Sequence, residues 1–243
     1  MDNYGKINES GIILVDIASF TSEKLKDQVE KIKLLNEVIQ IALDEDSVIL
    51  KDQWSHQTVN KGTWRVSKKI RFTSHNTGDG YFLVCEKYDK DKVDGEGYYC
   101  KTILHAACAI RDWILQLNVS ENKGYHIGTK RGKLNFRMIV HYGEYSTPEG
   151  LKLGGTQGSR LLIGDGLNDS ARMIALRGEG TLNTMYVSEQ MYELLPVRWR
   201  QTYFDGSLLQ QDDSKGKAHN FYKCIPPPAW ECDYNTGEIN LWK

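Results

Sequence analysis

Long apolar runs are missing from this chain. None approaches the roughly 20 residues that a membrane-spanning helix needs, and the first twenty residues lack a basic segment followed by an apolar core. A cytoplasmic protein with no membrane partner is therefore expected. Excess charge is missing too: 31 basic side chains stand against 32 acidic ones, a formal net charge of −1. That balance leaves no electrostatic footprint for nucleic acid or an anionic surface. Cysteine is scarce and unpatterned. Cys85, Cys100, Cys108, Cys224 and Cys232 are odd in number and contain no CxxC pair, which argues against a disulfide framework or a zinc site and for reduced, mostly buried thiols. The glycine-rich signatures of nucleotide binding are incomplete. Gly164-Asp165-Gly166 lacks the third glycine of a dinucleotide fingerprint, and residues 128–134 lack the spacing and hydroxyl of a P-loop. No GxSxG elbow and no internal repeat occurs.

What is present fits one sizeable globular domain: 243 residues, 40% of them hydrophobic. Residues 1–10 read as a polar lead-in, 11–224 as the domain, and 225–243 as a tail following Pro226, Pro227 and Pro228. Residues 11–15 form a compact apolar run ending on Asp16, the pattern of a buried central strand. Leu25, Val29, Ile32, Leu35, Val38, Ile39 and Ala42 then recur at helical spacing behind an N-cap at Thr21 or Ser22. The corner between them, with Phe20 and Thr21 at its tip, offers backbone N–H groups suited to phosphate oxygens, although an ordinary capped helix would look the same.

Residues 47–51 can form a short strand, and residues 64–73 and 81–86 read as hairpin arms around Thr77-Gly78-Asp79-Gly80, a strong turn signal. After a charged loop over 87–97, an amphipathic helix is expected over 99–117, a strand with an embedded Arg137 over 134–145, and a glycine-rich passage from Gly150 to Gly158. A helix opening at Gly164, a strand over 184–187, a Ser188-capped helix and a closing strand pair over 201–222 complete the chain. The order is β-α-β-β-α-β with additions. It predicts an α+β, ferredoxin-like fold: an antiparallel-rich sheet with helices on one face.

If the strands ending at Asp16 and Asp79 lie side by side, the two acids form a hard oxygen pair suited to Mg²⁺ or Mn²⁺. Each polar residue also has a plainer reading: Asp79 as a turn former, Arg137 as an ion-pair partner, Lys215 as a solvated loop residue, His141 as a satisfied structural histidine. Taken together, five stretches in register resemble the class III nucleotide cyclases, the adenylate and guanylate cyclase family: VDIASFTS, HNTGDGYF, FRMIVHYG, GDGLNDSARM and SKGKAHNFY. They span roughly residues 11–224.

The resemblance implies attack of a ribose 3′-oxygen on the α-phosphorus of a nucleoside triphosphate, with pyrophosphate leaving. It implies that Asp16, Asp79 and the Ile17 carbonyl hold two Mn²⁺ or Mg²⁺ ions, one lowering the pKa of the 3′-hydroxyl and the other clamping the triphosphate. Arg137 and Lys215 match phosphate-binding positions, Asn168 the residue that orients the ribose, and Arg172 the one that stabilises charge at the α-phosphate. It further implies a homodimer whose sites take metal ligands from one subunit and the Asn/Arg pair from the other.

At the base-reading positions this chain departs from the purine enzymes. Adenylate cyclases carry lysine and aspartate there, and guanylate cyclases glutamate and a small polar residue or cysteine; this chain has His75 and Leu161. A neutral imidazole and a leucine match a purine edge poorly. In this the chain resembles the bacterial pyrimidine cyclases of antiphage signalling, which make cyclic UMP or cyclic CMP from UTP or CTP for a separate effector. A catalytically silent module of the same fold stays open as an alternative, as does a purine cyclase. A diguanylate-cyclase or polymerase-palm relative would want a GGDEF-like hairpin, which TGDGYF is not.

Overall fold

The computed structural model describes residues 7–43, 71–86, 95–119, 134–146, 163–176, 182–225, 230–232 and 239–241. The expected strand over 47–51, the outer part of the first hairpin arm, the 87–94 loop, the glycine-rich passage, Leu161 and the three prolines lie outside these residues.

A seven-stranded sheet organises the domain, in the order β2-β3-β1-β4-β5-β7-β6. Its strands are β1 (Ile7–Ile17), β2 (Arg71–Asn76), β3 (Gly80–Glu86), β4 (Phe136–Ser146), β5 (Thr184–Ser188), β6 (Phe204–Asp212) and β7 (Ala218–Cys224). Only β4 and β5 pair in parallel. The helices are α1 (Leu25–Leu43), α2 (Gly95–Val119), α3 (Asp165–Leu176), α4 (Glu189–Leu194) and α5 (Val197–Tyr203). The last segments, β8 (Trp230–Cys232) and β9 (Ile239–Leu241), pair with each other. The ferredoxin-like core is thus as expected, with β1 at its centre. This strand already begins at Ile7, so the end of the polar lead-in is paired with β4.

β1 is covered on both sides, as its unbroken apolar run requires. Ile13, Val15 and Ile17 pack with Leu35 and Val38 of α1, Ile103, Ala107 and Ile110 of α2, Met191 of α4 and Trp199 of α5 in one large cluster. Ile12 and Leu14 face the other way, Leu14 among Met173 and Ile174 of α3 and Ile12 with Leu167. The expectation of helices on one face holds for α1, α2, α4 and α5 but not for α3. Close approach of α3 depends on Gly166, where a Cβ would stand 2.9 Å from the Glu144 carbonyl oxygen and 3.0 Å from Ile12 Cδ1.

Two further expected boundaries shift. Thr21 and Ser22 do not cap α1; they belong to a 3₁₀ turn, Phe20–Ser22, that begins after Ser19 at φ 59°. Gln28 fastens this turn by donating to the Phe20 and Glu23 carbonyls, both at 3.0 Å. Starting at Leu25, α1 leaves Leu25 and Val29 exposed and buries Leu34, Leu35, Val38, Ile39 and Ala42. Residues expected to open the closing strand pair instead end α5, whose Trp199 and Tyr203 rings stack at 4.6 Å. Four cysteines, Cys85, Cys100, Cys108 and Cys224, are free and buried as expected. Among the described residues no helix is long and apolar enough to cross a membrane.

Candidate active site

Strand pairing brings the first cluster together. In the ladder Asp16 stands opposite Gly80 of β3 on one side and Arg137 of β4 on the other. Gly80 is required here, because a Cβ would sit 2.0 Å from the Val15 carbonyl oxygen. The turn before it is pinned to the end of β1 by the Ile17 N–H donating to the Asp79 carbonyl at 2.8 Å. It is closed by Thr77 N–H to Gly80 O at 3.0 Å, with the Asn76 side chain accepting from Gly78 N–H at 2.7 Å. The Asp79 carboxylate accepts from the Thr77 hydroxyl at 3.1 Å and reaches the Asp16 carboxyl. The sequence-derived acid pair therefore meets.

The electrostatics of this corner are unbalanced. Asp16 is 6% exposed, and burial, followed by the opposing pull of Arg137 and the repulsion of Asp79, raises its pKa to about 6. Arg137 Nη2 donates to Asp16 Oδ2. Its plainer reading as an ion-pair partner is thus what the chain displays, beside the position where a phosphate would approach. Two carboxylates against one guanidinium leave a net negative charge, and the all-oxygen donor set, Asp16 and Asp79 with the adjacent Ile17 carbonyl, fits a hard divalent cation.

The same sheet face carries His75. On edge strand β2 it stands opposite Phe82, which stands opposite Leu14. Among the described residues its half-buried ring has no hydrogen-bond partner at Nε2, and burial pulls its pKa below the ordinary value, so the imidazole is neutral at pH 7. Phe20 is half-buried against the main core and Thr21 is exposed on the 3₁₀ turn.

The second cluster lies on α3 and the β6–β7 turn. Asn168 is exposed, and Arg172, one helical turn later, is one-third exposed at 33%. Arg172 Nε lies 3.6 Å from Asp213 Oδ2, and its Nη1 lies 3.5 Å from Asp169 Oδ1. Lys217, not anticipated from the sequence, grips both Asp169 oxygens at 2.9 and 2.7 Å. Lys215 is exposed, and its backbone N–H donates to Asp213 Oδ1 at 2.8 Å. Asp213 also accepts from His219 Nε2 at 3.2 Å. Of the residues missed, Asp213 had a readable signal: an Asp directly before a Ser-Lys-Gly turn commonly accepts backbone N–H groups. His141, expected to be satisfied, is buried with no partner at Nδ1 among the described residues, and burial drops its pKa to about 4.

The two clusters do not meet within one chain. Neither Asn168 nor Arg172 bonds to Asp16 or Asp79 among the described residues. Asp169 and Lys217 act electrostatically on His141, which stands four residues along β4 from Arg137, or ~13 Å at strand rise.

No family model matches the chain, and no curated protein matches it in sequence. Solved structures do share its fold. The guanylyl cyclase Cya2 superimposes with a TM-score of 0.53 at 14% identity, over 92% of this chain and 94% of that one. An adenylate/guanylate cyclase/hydrolase from Silicibacter pomeroyi gives 0.50 at 15% identity, over 92% and 99%. An adenylate cyclase from Trypanosoma brucei, in its monomeric state, gives 0.51 at 10% identity, over 89% and 87%. At such identities the likeness is one of fold: the chain has the architecture of nucleotide cyclase domains.

Proposed function

We propose that the protein is a metal-dependent nucleotide cyclase that converts UTP or CTP into the 3′,5′-cyclic nucleotide and pyrophosphate, acting as a homodimer. The observation carrying this reading is the convergence of Asp16 and Asp79 at the ends of two neighbouring strands, in a corner short of positive charge. Two Mg²⁺ or Mn²⁺ ions, when bound by these carboxylates and the Ile17 carbonyl, would supply Lewis-acid stabilisation to the 3′-oxygen and the triphosphate. The chain's own groups do the rest. Arg137 pairs with phosphate oxygens once it leaves Asp16. Across the dimer interface Asn168 of one subunit orients the ribose held by the other, and Arg172 and Lys215 meet the charge that builds on the α-phosphate and the departing pyrophosphate. The bond formed is 3′-O to Pα, the bond broken joins Pα to the bridging oxygen, and the 3′-proton leaves to solvent.

His75 supports the pyrimidine assignment: a neutral ring with an open nitrogen makes a single hydrogen bond and cannot do the work of a lysine. Leu161, the second base-reading candidate, lies outside the described residues. The cyclic product would be a messenger for a separate effector, in keeping with the antiphage cyclases that the motifs resemble. A purine reading is favoured by one observation, that the fold-sharing structures are named adenylyl and guanylyl cyclases. Incubating the purified protein with each of the four triphosphates and Mn²⁺, and identifying products by mass, separates the two. Cyclic UMP or cyclic CMP is expected. Turnover of ATP or GTP alone overturns the pyrimidine assignment, and no product from any overturns the enzyme.

A further inference from the structure

We infer that Asp213 is a positioning residue that mounts Arg172 and Lys215 as one unit, a carboxylate that shapes the reaction without touching nucleotide. This rests on the cyclase reading above, and it concerns how two groups on separate elements come to act together.

The Asp213 side chain is 4% exposed and its two oxygens divide their work. Oδ1 accepts the backbone N–H groups of Lys215 at 2.8 Å and Lys217 at 3.0 Å. These bonds, with Asp213 N–H to the Lys217 carbonyl and Gly216 N–H to the Asp213 carbonyl, both 2.9 Å, define the turn that carries Lys215. Oδ2 faces His219 Nε2 at 3.2 Å and Arg172 Nε at 3.6 Å. One carboxylate thus joins the lysine-bearing turn to the arginine-bearing helix. Backbone N–H groups, His219 and Arg172 hold the carboxyl at about 2, so its charge is constant over the working pH range.

Asp169 closes the circuit. It lies beside Arg172 Nη1 and is gripped by Lys217. Two acids and two bases neutralise one another, leaving the exposed Lys215 as the turn's ammonium without an ion pair among the described residues. Arg172 Nη2 takes part in neither of these ion pairs, and the side chain stays one-third exposed. An arginine side chain carries about 2 kcal/mol of rotamer entropy. Holding Nε and Nη1 in advance removes much of that loss from the transition state, while Nη2 remains available to an incoming phosphate. Lys217 serves the scaffold and Lys215 the substrate, a division that the motif SKGK cannot express.

The experiment is a double-mutant cycle read alongside NMR of the full chain. Asp213→Asn, Arg172→Ala and the double variant are assayed for cyclic nucleotide formation. Asp213→Asn should lower kcat about 30-fold with KM changed less than threefold, and should lower it by less than threefold in the Arg172→Ala background. If Asp213→Asn does not fold, Asp213→Ser, whose hydroxyl still accepts from the turn, should show the same pattern. In ¹⁵N-arginine-labelled protein, the Arg172 Nε–H signal, assigned with Arg172→Lys, should change its chemical shift and broaden in the Asp213 variant as the side chain loses its fixed position. Equal losses in both backgrounds, or an Nε–H indifferent to the substitution, overturns the inference. A wild type that cyclises none of the four triphosphates overturns the cyclase reading instead, and the NMR arm still decides whether Asp213 holds Arg172.

Discussion

At the Asp16 corner two carboxylates share one guanidinium, and burial pushes one of them up to about 6; at the Asp213 corner a carboxylate no more exposed is pulled down to about 2. Burial is the largest push on Asp16, and hydrogen-bond donors are the largest pull on Asp213. Asp213 is met by two backbone N–H groups, a histidine and an arginine, whereas among the described residues Asp16 is met by Arg137 and opposed by Asp79. The first corner lacks positive charge in a way that cations would remedy. The second has settled its own account and presents a surplus lysine outward. On the proposed reading the first corner takes metal and the second phosphate.

The sharpest way to break this comparison is to remove its acids. Asp16→Ala and Asp79→Ala should each lower cyclic nucleotide formation by at least about 1,000-fold, with circular dichroism unchanged; near-normal turnover in either would undo the metal assignment. Arg172→Ala should cost less, about 100- to 1,000-fold in kcat with a small change in KM, as expected for a group that acts on transition-state charge. Divalent ions sharpen the contrast without catalysis. Saturating Mn²⁺ should raise the unfolding midpoint of the wild type by several degrees, chelator should reverse the shift, and Asp16→Ala should show none.

Acid separates the corners further. Asp16 must be ionised to bind metal, so the Mn²⁺ concentration giving half-maximal activity should rise about tenfold per pH unit below about 6, while Asp213 does not titrate in that range. Folding stability responds to other groups as well. Burial depresses His105 to about 3 and His141 to about 4, so their contribution is present above the ordinary histidine value and is lost as pH falls toward 4. Asp16, being raised, contributes in the opposite sense, fully below 3.8 and lost as pH rises through about 6. With two groups against one, the protein should be less stable at pH 4.5 than at pH 7, by on the order of 2 kcal/mol in urea titrations. The smallest expected effect is at the base: His75→Ala should raise KM for the preferred pyrimidine triphosphate about tenfold with little change in kcat.

How much of this was legible in the sequence follows from distance along the chain. The core β-α-β-β-α-β order and the meeting of Asp16 with Asp79 were readable, because alternation, an Asp-Gly turn and strand ends are local signals that only one sheet register satisfies. The side of the sheet that α3 occupies was not. Leu167, Met173 and Ile174 say that the helix has an apolar stripe, and only the two-sided burial of β1 says where that stripe goes. The start of α1 was misplaced because Thr21 and Ser22 resemble caps, while a left-handed Ser19 and the Gln28 side chain decided otherwise. Arg137 carried two readings, a phosphate-binding position and an ion-pair partner, and the acid opposite it in the ladder is what it pairs with in this chain. Asp169 and Lys217 were passed over because each is unremarkable alone, and Asp213 because its turn signal says nothing of an arginine on another element; their ring of contacts joins segments that only the fold brings together.

Neither Asn168 nor Arg172 bonds to Asp16 or Asp79 among the described residues of one chain, so the account requires a second copy to join the two corners. Co-expressing Asp16→Ala with Arg172→Ala, each inactive alone, tests this directly. Mixed dimers hold one site with both substitutions and one with neither, so activity should return to about one quarter of the wild-type value, given random pairing of equal amounts. Two folded variants that together stay as inactive as each does separately would contradict the account.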